Sequence, residues 1–159
     1  ATGEFGHVIF RDDQAFGELD VSPNGNLFYH WNKGSDVYEE LATESGKVKV
    51  NQWTMVSLII DSDDYAKLYI NGVLEKVKLS QSTAYVDSVL IDRHDNVGAD
   101  FYFGDHNTSD TRRFNGSIDD FRVYSNNSLN AAEIKVIYES EISGGLDQQL
   151  FISHSMLDL

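Results

Sequence analysis

The chain has 159 residues, no cysteine and a formal net charge of −14 at pH 7, from 12 basic and 26 acidic side chains. This length fits a single domain, and the lack of cysteine excludes disulfides, thiolate zinc sites and a cysteine nucleophile. The acidic charge repels nucleic-acid phosphates and anionic lipids, so we expect neither as a partner. No apolar run approaches the roughly 18 residues of a membrane span, so we expect no membrane insertion.

Short apolar or alternating runs, separated by turn residues, fill the first half of the chain. We predict strands at HVIF (7–10), FGELDV (16–21), LFYHW (27–31) and KVKV (47–50). The stretch WTMVSLII (53–60) is apolar on both faces, which is typical of a central strand. AKLYI (66–70) and VLEKVKL (73–79) follow, and the Asn71-Gly72 pair between them predicts a type I′ hairpin turn, which needs positive φ.

The second half predicts three more strands and one helix. The strands are YVDSVLI (85–91), FYF (101–103) and FRVY (121–124). Asn130 is a good N-cap and Glu133 completes a capping box, so we predict a helix from about Ala131 to Glu139. Residues 146–159 fit one more strand or an arm that pairs with a partner. About nine short strands and one short helix indicate an all-β antiparallel β-sandwich.

Three pieces of the chain carry a family resemblance. They are Trp53 and Val56 followed by Leu68 to Gly72, then GSIDDFRVY (116–124), then LNAAEI (129–134) with Tyr138. Their order and spacing resemble the laminin-G-like modules of the concanavalin A-like lectin/glucanase superfamily, over roughly residues 5–139. The resemblance implies a jelly-roll sandwich over residues 1–142 and a tail or extra strand over 143–159. The opening strands of such modules have no counterpart upstream, so the tail, or another segment or chain, is expected to supply them.

Two adjacent carboxylates, Asp119 and Asp120, precede the predicted strand FRVY. Side chains alternate along a strand, which places Asp120 on the face of Arg122 and Asp119 on the apolar face. We therefore expect Asp119 to be substantially buried and satisfied. The resemblance implies that Asp119 holds a structural Ca²⁺ together with carbonyls of the opening strands. The alternatives are that Asp119 caps a turn or pairs with Arg122 or Arg113.

Sugar recognition needs aromatic faces for stacking and a few polar side chains. Tyr29 and Trp31 share one face of a predicted strand, and with Tyr38 in the following loop they predict a sugar platform. The alternative is that Tyr29 and Trp31 belong to the core. The loop after FYF would supply the polar rim, namely His106, Arg112 and Arg113.

Catalysis has weaker support than binding. Glycosidases of the superfamily that the chain resembles carry carboxylates along one strand face, and Glu18 and Asp20 share a face at i, i+2. Position 22 is Ser, so no third carboxylate follows, and a solvent-facing pair is the ordinary explanation. The 5 histidines show no zinc spacing. We therefore expect no enzymatic activity.

These features favour a non-catalytic carbohydrate-binding or adhesion module that recognises a glycan or a surface partner, outside the cell or on a surface. The first alternative is a structural or assembly subunit, or an appended domain of an extracellular fibre or surface protein, which the unexplained tail favours. The second is a polysaccharide-active enzyme. The triplets at Asn107, Asn115 and Asn126 fit glycosylation of a secreted eukaryotic chain and equally arise by chance.

Overall fold

A computed structural model describes residues 8–12, 17–34, 37–91, 101–105, 113–125 and 128–143. The elements in this part of the chain are the strands β1 Val8–Asp12, β2 Gly17–Val21, β3 Leu27–Asn32, β4 Tyr38–Thr43, β5 Val56–Ile60, β6 Tyr65–Ile70, β7 Val73–Leu74, β8 Val77–Leu79, β9 Val89–Leu90 and β10 Phe101–Phe103, and the helix α1 Ala131–Ile142.

The strands form two sheets of unequal width. The larger sheet has six strands in the order β10-β1-β2-β3-β4-β8. The smaller sheet has the order β5-β6-β7, and β9 pairs with β6 on the same side as β7. All of these pairings are antiparallel. The prediction of an antiparallel β-sandwich with one short helix is therefore confirmed.

The core lies between the two sheets and follows the alternation of β3 and β6. Leu27, Tyr29 and Trp31 of β3 are buried, whereas the residues between them are only half-buried. Leu68 of β6 and Val77 of β8 are each 0% exposed in the same cluster. An alternating strand places every second side chain on one face. The face of each strand that carries the apolar side chains is therefore the one that turns toward the core.

Two glycines hold backbones in conformations that a side chain would prevent. Gly17 has φ +89°, and a Cβ there would lie 1.9 Å from the carbonyl oxygen of His30, so β2 can approach β3 closely only with glycine. Asn71 and Gly72 have φ 52° and 76° and join Ile70 to Val73, which pair directly. The predicted two-residue hairpin turn is therefore confirmed.

Helix α1 begins where the sequence predicts and continues to Ile142. The Asn130 side chain accepts from the backbone N–H groups of Ala132 and Glu133, and the Glu133 carboxylate accepts from the Asn130 N–H at 2.8 Å. The capping box is confirmed. Within the described residues, no helix is long and apolar enough to cross a membrane. The predicted tail over 143–159 lies outside the described part apart from Ser143, and the domain boundary stays a prediction.

Several strand predictions are wrong in instructive ways. KVKV (47–50) is a turn whose Val48 N–H donates to the Gly25 carbonyl at 2.9 Å rather than to a neighbouring strand. Residues 73–79 divide into β7 and β8, which lie in different sheets. FRVY (121–124) is not a strand. β4, with sequence YEELAT, was not predicted because its two glutamates are poor strand formers, and its pairing with β3 and β8 overrides that preference.

Candidate functional site

The predicted aromatic platform is not at the surface. Tyr29 is 0% exposed and Trp31 is 1% exposed, with their rings stacked 5.7 Å apart on the inner face of the six-stranded sheet. A sugar in solvent cannot reach either ring, so the prediction that they form a sugar platform is wrong and the core alternative holds. The indole N–H of Trp31 has no hydrogen-bond partner in the part of the chain that the structure describes.

The other predicted sugar-binding residues do not assemble into one site. Tyr38 begins β4 instead of lying in a loop, and it is 66% exposed. Arg113 is exposed and donates to the Asp105 carboxylate at 3.1 Å beside β10. β10 and β4 are four positions apart in the sheet, which separates them by roughly 19 Å. His106 and Arg112 lie outside the described residues.

Asp119 differs most from its prediction. It is exposed, and its carboxylate accepts the N–H of Asp120 at 2.8 Å. Asp120 has φ 52°, so the backbone turns here and strand alternation does not apply. The expected burial of Asp119 is therefore wrong. The expected pairing of Asp120 with Arg122 is confirmed, since the Nε atom of Arg122 donates to Asp120 at 2.9 Å.

The described residues supply no cluster of carboxylate or imidazole ligands for a calcium ion at Asp119. Ca²⁺ takes six to eight oxygen ligands, and no group of three or more His, Asp or Glu side chains among the described residues is arranged to hold a metal. The carboxylate of Asp120 is already bound by Arg122. Calcium at Asp119 therefore stays a prediction, and no step of the proposed function depends on it.

The turn at residues 61–64, with sequence DSDD, is stabilised by one of its own carboxylates. The Asp61 carboxylate accepts from the backbone N–H groups of Asp63 and Tyr65, and it binds the Lys67 ammonium at 2.6 Å. The hydrogen bond from Lys67 holds the pKa of Asp61 below its usual value, against the opposing effect of desolvation. This carboxylate closes the turn between β5 and β6.

A cluster of titratable side chains lies on the outer face of the six-stranded sheet. Glu18, His30 and Glu40 are directly opposite one another on β2, β3 and β4. The Nε2 atom of His30 lies 3.4 Å from the Asp20 carboxylate, and its Nδ1 atom lies 3.4 Å from the Glu40 carboxylate. The ring of Phe28 stacks against the imidazole with centroids 5.8 Å apart. We call these five side chains the His30 cluster.

The alternation of β3 produces the His30 cluster. Because Leu27, Tyr29 and Trp31 turn inward, Phe28 and His30 must turn outward. The side chains of His30, Asp20 and Glu40 are 19–30% exposed, so they are accessible to a ligand while part of their surroundings is protein. Charges in such a setting interact more strongly than in bulk water.

The His30 cluster can hydrogen-bond a ligand in several ways. Carboxylates accept hydrogen bonds, and a neutral imidazole donates from one nitrogen and accepts at the other. Tyr38, opposite Asn32 on the same outer face, adds an exposed aromatic ring beside this row. This mixture of hydroxyl-binding groups and aromatic surface is what a sugar needs.

The sequence indicates part of this cluster. Strand alternation places Glu18 and Asp20 on one face of β2, and His30 on the face of β3 opposite Tyr29. The contact between the two strands cannot be read from the sequence, because the pairing of β2 with β3 and the existence of β4 are tertiary facts. The available signal was the strict alternation of LFYHW (27–31), since one of its two faces had to be exposed.

A model of the laminin-G type, described as the concanavalin A-like lectin/glucanases superfamily, matches residues 1–135. No curated protein matches the chain. Among solved structures, an S-layer domain-containing protein from Clostridium thermocellum is similar, with 18% sequence identity and a TM-score of 0.42. The match covers 85% of this chain and 64% of that one, so this chain spans less than two thirds of the length of that structure.

Proposed function

Because the chain belongs to the laminin-G-like family of the concanavalin A-like lectin/glucanases superfamily, we propose that it is a non-catalytic module that binds a glycan or a surface partner. We place the contact on the outer face of the six-stranded sheet, and the module outside the cell or at a surface. The observation that carries the proposal is the His30 cluster, with the exposed ring of Tyr38 on the same face.

The chemistry of this face favours a hydroxyl-rich ligand. The Glu40 side chain, 30% exposed, presents carboxylate oxygens that accept hydrogen bonds from sugar hydroxyls. The ring of Tyr38, 66% exposed, offers an apolar surface for the C–H groups of a pyranose. The face carries an excess of carboxylates, which fits a neutral or cationic glycan better than a sulfated or uronic-acid polymer.

A glycan panel followed by titration calorimetry tests the proposal. We expect Tyr38→Ala and Glu40→Gln each to weaken binding by about tenfold, because each removes one ligand contact worth ~1.4 kcal/mol. Glu39→Gln is the matched control for Glu40, since Glu39 is adjacent on β4 but belongs to the opposite parity and binds Lys33. Tyr65→Ala on the smaller sheet, where Tyr65 is 39% exposed, is the control for Tyr38. Silence of the wild-type chain across the panel would overturn the proposal.

A polysaccharide-active enzyme is the competing function that the Glu18 and Asp20 pair favours, because both carboxylates lie in the His30 cluster. General acid–base cleavage of a glycoside needs two carboxylates that flank the scissile bond. A ligand found on the panel should therefore be incubated with the wild-type chain and with Glu18→Gln. Intact ligand with both proteins supports a binding module, whereas turnover that Glu18→Gln abolishes would replace it with an enzyme.

The calcium prediction at Asp119 needs its own test. If Asp119 supplies a ligand to a structural Ca²⁺, millimolar Ca²⁺ raises the Tm of the wild-type chain and not that of Asp119→Asn. Asp120→Asn is not a suitable control because Asp120 binds Arg122. Asp63→Asn, in the exposed turn at 61–64, serves instead. An equal Tm with Ca²⁺ and with chelator would reject the site.

A further inference from the structure

Among the described residues, part of the larger sheet has no facing strand. One sheet is six strands wide, while the path β5-β6-β7 is three strands wide. The two sheets meet where Val77 of β8 exchanges two backbone hydrogen bonds of 2.8 Å with Val86, just before β9. The unmatched width therefore lies beyond β5, across from β2, β1 and β10. Strands are about 4.8 Å apart, which leaves room for at least one further strand.

Exposure changes abruptly from β6 to β5. Three inward-facing residues of β6, namely Ala66, Leu68 and Ile70, are 0%, 0% and 5% exposed. Their direct partners on β5 are Ile60, Leu58 and Val56. These partners face the same core but are only half-buried. Because the two strands share a face and a register, the difference comes from what lies beyond β5, where no described strand covers the core.

The backbone of β5 also has an edge that pairs with no other strand of the described part of the chain. The Asn71 N–H donates to the Met55 carbonyl at 2.8 Å, and the Asp61 N–H donates to the Tyr65 carbonyl at 3.1 Å. Odd-numbered residues of β5 therefore direct their backbone groups toward β6, since bonding alternates along an antiparallel pair. The even-numbered residues direct theirs toward the outer edge, namely Val56, Leu58 and Ile60. No strand among the described residues pairs with that edge.

The far side of this gap is lined by aromatic rings. Phe10 and Phe103 are paired across β1 and β10, on the same face as Leu19 of the core. Phe121 packs on Phe103 at 4.3 Å and lies 6.4 Å from Phe10. Phe103 and Phe121 are still 46% and 48% exposed. The free edge of β5 on one side and these rings on the other form what we call the strand-acceptor groove.

We propose that the strand-acceptor groove is filled by an extended strand that pairs with β5, and that residues 146–152, LDQQLFI, supply it. The C-terminal end of α1 lies next to the groove, because Glu141 binds Arg122 at 2.8 Å, one residue from Phe121. The 16 residues 144–159 follow from there. An extended chain of that length spans about 50 Å, whereas the five residues of β5 cover about 17 Å.

The side chains of this segment suit the groove. Leu150 and Ile152 share one face of an extended strand and would continue the inner apolar layer beside Leu58. A strand added to a free edge gains main-chain hydrogen bonds and buries alternate side chains. The chain would then close its own core without a second protein.

Residue-resolved amide exchange by NMR on the full-length chain tests the pairing. We expect the amides of Val56, Leu58 and Ile60 to exchange about as slowly as those of Ser57 and Ile59, which bond to β6 in either case. Cross-strand nuclear Overhauser contacts between 56–60 and 146–152 should accompany this protection. Fast exchange at the three even-numbered residues, with slow exchange at the two odd-numbered ones, would show an empty edge and overturn the proposal.

A double variant, Leu150→Asp with Ile152→Asp, tests the occupant. We expect exchange at Val56, Leu58 and Ile60 to accelerate at least about tenfold, with little change at Ser57 and Ile59. Ser153→Asp with Ser155→Asp adds the same charge to the same tail and is expected to change nothing. Protection that survives the first variant but is lost on dilution would assign the groove to a second copy of the chain. Such a result, or an equal change at all five amides, would overturn the assignment to residues 146–152.

Discussion

The two lateral ends of the sandwich differ in how well they are closed. At the end formed by β8, β9 and β6, both sheets contribute inward-facing residues, and Val77, Leu68 and Ala66 are each 0% exposed. At the end formed by β10, β1 and β5, equally apolar residues such as Phe103 remain 46% exposed. Hydrophobic stabilisation is proportional to the area removed from water. Apolar side chains on the inward face of a sheet are therefore not sufficient to close the core, since a second layer must also cover them.

The largest expected effect compares Leu68 with Leu58, which are direct partners on the same inner face. Leu68→Ala should lower the free energy of unfolding by about 2–5 kcal/mol, because it removes fully buried methyl groups and leaves a cavity. The strand-acceptor proposal predicts a similar loss for Leu58→Ala, because the added strand would remove the rest of its side chain from water. Urea unfolding of both variants measures the difference. A loss for Leu58→Ala only about half as large would mean that the β5 side is open in solution and would contradict the proposal.

A second comparison concerns one ion pair at each of the two lateral ends of the sandwich. Lys47 binds the Glu75 carboxylate at 2.7 Å, and the Glu75 side chain is only 11% exposed. The hydrogen bond to Glu75 raises the pKa of Lys47. Lys47→Ala should therefore cost about 1–3 kcal/mol, because a buried carboxylate loses its partner. Arg122→Ala, at the open end, removes a cation that is 35% exposed and should cost below about 1 kcal/mol.

The control for these ion pairs is the exposed pair of Lys76 with Asp87, whose side chains are 59% and 61% exposed. Lys76→Ala should change the free energy of unfolding, measured with urea, by less than about 0.5 kcal/mol. A loss for Lys47→Ala no larger than that of Lys76→Ala would show that the burial of Glu75 has no energetic consequence.

The capping box of α1 predicts an effect of intermediate size at the start of the helix. Asn130→Ala removes the acceptor of two backbone N–H groups at the start of the helix and should cost about 1 kcal/mol. Asn130→Asp keeps an acceptor and is the conservative control. Thermal unfolding followed by circular dichroism measures both. If Asn130→Asp is as destabilising as Asn130→Ala, the side-chain bonds do not stabilise the helix start.

The smallest expected effect is the pH dependence of the Asp61–Lys67 pair beside β5. The pKa of Asp61 is lowered by Lys67, so its contribution is present above its ordinary value of 3.8 and is lost as pH falls below it. The pKa of Lys67 is raised by Asp61, so its contribution is present below its ordinary value of 10.5 and is lost as pH rises through the folded value. Lys67→Met should therefore differ from the wild-type chain mainly between these limits, by below about 1 kcal/mol. A difference that does not shrink as pH falls below 3.8 would indicate lost packing instead.

Some elements were predictable because their signals are local. The Asn71-Gly72 turn and the Asn130 capping box each depend on residues within four positions of one another, and both are confirmed. The prediction of β1, β2, β3, β6 and β10 likewise depends on short alternating or apolar runs. The wrong predictions depend on distant partners: KVKV (47–50) alternates, but no strand among the described residues pairs with it.

The candidate site was only partly predictable for the same reason. The alternation in β3 shows that Tyr29 and Trp31 share one face and that His30 lies on the other. It does not show which of the two faces meets the second sheet, so the sequence leaves open whether Tyr29 and Trp31 form a sugar platform or belong to the core. The His30 cluster joins side chains from three strands, and no spacing along the chain encodes the register between them.

The sequence by itself determined the family, the all-β class, the helix start and the parity of each well-formed strand, because these depend on residue chemistry over a few neighbouring positions. The tertiary structure alone decided which parity is buried, that β5 lies at the edge of the described part of the smaller sheet, and that Asp119 lies exposed in a turn. Those outcomes depend on whether a facing layer is present to exclude water. That presence is decided by the packing of segments distant in the chain.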